Sequence, residues 1–90
     1  MNKTILFEAD QIINGERQKQ YGSPEDSFQI IADFWNVYLK HKKTSEITPG
    51  NVAEMMSLFK HARMLGQETK RDNYADAIGY LAIRADRIQE

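Results

Sequence analysis

Two carboxylates four residues apart, Asp72 and Asp76, stand near the start of the last amphipathic stretch, Arg71-Asp72-Asn73-Tyr74-Ala75-Asp76-Ala77-Ile78-Gly79-Tyr80. On a helix this spacing stacks them one turn apart on one face. Such a pair can share a hard cation such as Mg2+, which takes carboxylate oxygens and keeps several waters. The preceding stretch ends Lys60-His61-Ala62-Arg63. If the two helices fold back on each other, Arg63 and Lys60 meet the carboxylates at one end of a hairpin. Two readings stay open. In one, the charges form an ion-pair cluster that fixes the hairpin, with Asp72 as a helix cap. In the other, Arg63 and Lys60 hold an anion while Asp72 and Asp76 orient them or bind a cation. Glu54, about two turns before Arg63, is the third acid, and a metal site requires all three to converge.

A second stretch, Glu16-Arg17-Gln18-Lys19-Gln20-Tyr21-Gly22, sets charge and an aromatic ring just ahead of a helix start. The free amides of that start, with Arg17 nearby, suit a phosphate or carboxylate. Tyr21 stacks on a base or wedges into the core. Tyr74 is the other ring near the basic residues. Other chemistries find no support. With no cysteine there is no disulfide, thiolate nucleophile or Cys-ligated zinc. His41 and His61 lack zinc spacing, the serines have no nucleophile context, and no glycine loop cradles phosphate.

The elements that must position these groups are helices. Ile5, Leu6, Ala9, Ile12 and Ile13 repeat with helical period over Ile5 to Asn14, with Gly15 as a C-cap. Ser23-Pro24-Glu25-Asp26 starts a second helix that runs to about Lys40, with a capping serine, proline at the first position and acids facing the dipole. That helix carries two apolar stripes, Phe28, Ile31, Trp35, Tyr38 and Ile30, Phe34, Val37. It is expected to be both the central helix and one wall of a subunit interface, which predicts a homo-oligomer. Thr48-Pro49 opens a third helix to Leu65, with Val52, Met55, Met56, Phe59 and Ala62 inward. Gln67 to Arg71 is a short turn, Asp72 the N-cap, and Tyr74, Ile78, Leu81, Ala82, Ala85 and Ile88 the core stripe of the fourth helix. The fold class is all-α: a single small four-helix domain over residues 1–90, its last two helices an antiparallel hairpin, completed by oligomerisation.

Composition narrows the partners. A formal net charge of -1 with 28% charged residues makes no field for nucleic acid or an anionic membrane. His41-Lys42-Lys43, the sole basic cluster, reads as a solvated loop. The apolar N-terminal run is broken by Glu8 and Asp10, so it is neither signal h-region nor membrane span. A cytoplasmic protein is expected.

Glu16 to Gly22, Phe28 to Trp35, Ile47-Thr48-Pro49 through Ala62-Arg63, and Arg71 to Tyr80 together resemble a family of short phage and prophage proteins of unknown function. The likeness spans roughly Glu16 to Ala82 and implies phage origin and a helical fold. More distantly, Asp72 to Leu81 is similar to phage nucleotide-modification-associated domains. It is also similar to the last metal-binding helix of MazG-like all-α nucleotide pyrophosphohydrolases. That second resemblance implies Mg2+ and hydrolysis of nucleoside triphosphates, with Asp72 and Asp76 as one acidic pair, spaced one residue wider than Glu-x-x-Asp. The first acidic motif of those enzymes has no counterpart here. The expected function is therefore binding of a nucleotide or other anionic small molecule through Arg17, Tyr21, Lys60, Arg63, Asp72, Tyr74 and Asp76, in nucleotide metabolism or in sequestering a defence signal. One alternative is a degenerate Mg2+-dependent pyrophosphohydrolase using Glu54, Asp72 and Asp76. The other is an interaction module that inhibits a host protein through the second helix and Ile83.

Overall fold

The computed structural model describes residues 4–14, 24–66 and 70–90. Among them are four helices and no strand: α1 (Ile5–Asn14), α2 (Pro24–His41), α3 (Pro49–Met64) and α4 (Arg71–Asp86). The fold is all-α, and the last two helices form the expected antiparallel hairpin. None of the described helices is long and apolar enough to cross a membrane.

Local chemistry accounts for the boundaries. Thr48 is the N-cap of α3, and a reciprocal capping box closes around it. The Asn51 amide donates to Thr48 Oγ1 at 3.2 Å, and the Thr48 amide donates to Asn51 Oδ1 at 3.0 Å. Pro49 follows at the first helical position, where no amide partner is needed. In α2 the acids Glu25 and Asp26 fill the first turn and Lys40 stands in the last, each with the sign the helix dipole favours. The expected Gly15 and Ser23 caps lie outside the described residues.

At α4 the expectation is corrected. Its N-cap is Lys70, not Asp72, and the Asn73 amide already bonds the Lys70 carbonyl at 3.1 Å. Asp72 sits inside the first turn, where its charge faces the positive end of the helix dipole.

The middle helix is α3, with α2 packed on one side of it and α4 on the other. This corrects the expectation that α2 is central. α3 can accept two neighbours because Gly50, Ala53, Ser57 and Ala62 are buried and small, so flanking helices approach its backbone. α2 is buried on one side only. Ile31 is buried and Trp35 half-buried, its indole N–H donating to the Met55 carbonyl at 2.7 Å, while Phe28 and Val37 stay exposed.

The seam of α4 also differs from the expected stripe. Asn73 and Ala77 are buried and Tyr80 and Arg84 half-buried, whereas Tyr74, Ile78 and Leu81 are exposed. One residue turns a helix by about 100°, so the apolar stripe lies beside the seam rather than on it. Two ion pairs to α3, one through Asp76 and one through Arg84, hold that rotation. On α3, Met55 and Ala62 are buried as expected, Met56 and Phe59 are half-buried, and Val52 is exposed. α1 buries none of its residues.

Candidate functional site

Two polar clusters lie along α3, one near each end. At its C-terminal end, Lys60 Nζ lies 3.0 Å from Asp76 Oδ2, with the lysine side chain largely covered and the aspartate half open. The neighbouring Phe59 ring carries cations: the Arg63 guanidinium carbon is 4.5 Å from its centroid and Lys60 Nζ 5.4 Å. Such contacts contribute about 0.5–1 kcal/mol at exposed sites. Beyond them, Lys70 and Arg71 lead into α4, whose cap supplies no side-chain hydrogen bond to the first amides. His61 on the same helix has Nδ1 within 3.3 Å of the Ser57 carbonyl.

At the N-terminal half of α3, Glu54 joins three helices. One carboxylate oxygen accepts from the Tyr38 hydroxyl of α2, and the other accepts from Arg84 Nε of α4 at 3.2 Å. Asn51 Nδ2 donates to the same tyrosine oxygen at 2.9 Å. Burial, then the Glu54 hydrogen bond, push the Tyr38 hydroxyl above its usual pKa. Arg84 Nη1 also donates to the Ile88 carbonyl at 2.5 Å, drawing the segment after α4 back toward α3. There Glu90 accepts from Thr48 Oγ1 at 2.7 Å and from the Gly50 amide at 3.3 Å, so a carboxylate sits on the N-terminus of α3. The Thr48 hydrogen bond chiefly, with the Gly50 amide and Arg84 adding to it, holds the Glu90 carboxyl below the ordinary range. Gly50 makes room for this. A Cβ there would lie 2.5 Å from Arg84 Nε and 2.7 Å from Glu90 Oε2.

Of the residues expected to act, Lys60 and Asp76 come together and Arg63 lies over the adjoining ring. Asp72 and Tyr74 are exposed at the same end. Arg17 and Tyr21 lie outside the described residues. The acids of the metal reading do not gather. Glu54 is six residues before Lys60, roughly 9 Å along the axis at 1.5 Å per residue, and its oxygens meet Tyr38 and Arg84, while Asp76 meets Lys60. Among the described residues no three of His, Cys, Asp and Glu form a group that could hold a metal ion. Tyr38, Asn51, Arg84 and Glu90 were not singled out by the sequence. Arg84 carried one readable signal: it falls on the helical phase of Ala77, where a solvated arginine would not be expected.

The sequence profile described as "Domain of unknown function (DUF6378)" matches residues 4–88. The Gene 55 protein of Mycobacterium phage D29 is 40% identical over 90 residues, covering 100% of this chain and 56% of the relative. The Gene 55 protein of Mycobacterium phage L5 is 38% identical over 80 residues, covering 89% of this chain and 49% of the relative. The chain thus spans about half the length of the curated relatives it matches. No solved structure matches. The names of these relatives state no activity, and the expected likeness to MazG-like pyrophosphohydrolases gains no support from them.

Proposed function

We propose that this chain, which belongs to the DUF6378 family and is a phage protein by its relatives, binds a small anionic molecule, a nucleotide foremost, where α3 ends and α4 begins. One observation carries the reading. By sequence, Lys60, Arg63, Lys70 and Arg71 against Glu68, Asp72 and Asp76 give the stretch 60–76 at this end of the hairpin a formal charge of +1, on a chain of net charge -1. The start of α4 lies in the same place, and helix N-termini favour anions. Asp76 holds the Lys60 ammonium in position while that group keeps further donors. Tyr74, exposed one turn into α4, offers a ring for a base. The fit is to phosphate or carboxylate recognition, and the chemistry asked of these residues is binding.

Thermal unfolding against inorganic phosphate and a nucleotide panel, each with and without Mg2+, tests the proposal. Ligand at about 100 times its Kd adds roughly 2.7 kcal/mol. For a domain of this size that is a rise of roughly 10–20 °C. Arg63→Ala should remove most of the shift. No shift across the panel, or an unchanged shift in a folded Arg63→Ala protein, overturns the site.

A further inference from the structure

We infer that the apolar stripes of α1 and α4 are covered by a second copy of this chain, in a dimer whose edge borders the proposed anion site at Tyr74. α1 presents Ile5, Leu6, Ile12 and Ile13 at 75%, 78%, 51% and 48% exposure. None of its residues is fully buried. A ten-residue helix is marginal in water by itself, below the length of about 12–15 residues at which isolated helices begin to hold. An apolar surface that packs on this stripe supplies the missing stability.

α4 offers such a surface. Tyr74, Ile78 and Leu81 recur at i, i+4 and i+7 and are 42%, 67% and 46% exposed. The two stripes match in length: Ile5 to Ile13 rises about 12 Å and Tyr74 to Leu81 about 10.5 Å. Around a two-fold axis each copy gives one α1 stripe and receives one on its α4. The contact is then self-complementary and closes at two subunits.

The surface area agrees with this occupant. The chain exposes 6945 Å². A compact monomer of 10.4 kDa would expose about 5,400 Å². The surplus is about 1,500 Å² per chain, and a standard interface takes about 800 Å² from each partner. The radius of gyration points the same way, 15.6 Å against about 12 Å for a compact chain of this length. A second copy therefore has enough surface to cover, and both complementary stripes are already on it.

Sedimentation equilibrium of the purified chain, with Leu6→Glu and Ile78→Glu variants, decides the matter. The expected mass is about 21 kDa, twice 10.4 kDa. Each variant should weaken the dimer at least about tenfold, and at the same concentration should run closer to a monomer. A wild-type monomer at roughly 100 µM, a concentration at which interfaces of standard size are assembled, overturns the inference. So does wild-type dimerisation by both variants, which would place the interface elsewhere. If Ile78→Glu unfolds, as far-UV circular dichroism would report, Leu6→Glu decides, because α1 contributes nothing to the buried core.

Discussion

Glu54 is the residue through which α2, α3 and α4 meet, and replacing it tests the architecture most directly. Glu54→Ala removes the acceptor for both the Tyr38 hydroxyl and Arg84 Nε. At 3.2 Å, Coulomb attraction between unit charges is about 5 kcal/mol at an effective dielectric of 20 and about 1.3 kcal/mol in bulk water. The side chains of Arg84 and Glu54 are 27% and 35% exposed, so screening and the entropy of ordering both chains bring the net ion pair to roughly 0.5–1 kcal/mol. The tyrosine bond adds about 1 kcal/mol. The expected loss for Glu54→Ala is therefore about 1.5–2 kcal/mol, or roughly 6–16 °C in Tm for a chain of this size. Glu54→Gln keeps an acceptor for Tyr38 and should lose only about half as much. Urea unfolding followed by Trp35 fluorescence is a suitable assay, since the single tryptophan lies between α2 and α3. A double-mutant cycle with Arg84→Ala should show coupling of about 0.5–1 kcal/mol. Additivity within about 0.3 kcal/mol would refute the claim that this pair sets the rotation of α4.

Thr48→Ala breaks the capping box and the Glu90 contact together, and should cost about 1–2 kcal/mol in the same denaturation assay. Tyr38→Phe should cost about 1 kcal/mol near neutral pH. Because the folded Tyr38 pKa lies above its ordinary 10.0, the stability it supplies is complete below that value and is lost as pH rises through the folded pKa. Unfolding curves from pH 9 upward should therefore show a decline in wild type that Tyr38→Phe lacks. The folded Glu90 pKa lies below 4.5, so its contribution is present above that value and is lost as pH falls through the folded pKa. Glu90→Gln should flatten this acid-side loss in a pH series of Tm values.

The sequence carried the elements further than their faces. The bounds of α1, and the Thr48-Pro49 start of α3, were legible because period and cap chemistry are local. Asp72 misled because aspartate is a favoured cap, yet the chain becomes helical one residue earlier at Arg71, behind a lysine that offers no capping oxygen. The α4 stripe misled for a different reason. Hydrophobicity alone selects Tyr74, Ile78 and Leu81, while the packed face is polar and small, selected by charges on another helix. The Lys60–Asp76 meeting was readable, since a short hairpin leaves few registers. The Tyr38–Glu54–Arg84 junction was not. It depends on the register of three helices at once, which no local pattern in one sequence encodes.

The central place of α3 has a kinetic consequence. Each of its main packing partners is its neighbour along the chain, α2 before it and α4 after it. No packed pair among these three waits for a distant segment to diffuse in, so contact order is low and collapse of the α2–α3–α4 unit belongs to the microsecond-to-millisecond range of helical bundles. The contacts from Glu90 to Thr48 and Gly50 close a longer stretch of chain and act as a latch on the packed helices. Stopped-flow traces from Trp35 would therefore follow the docking of α2 on α3, and the latch would close without changing that signal.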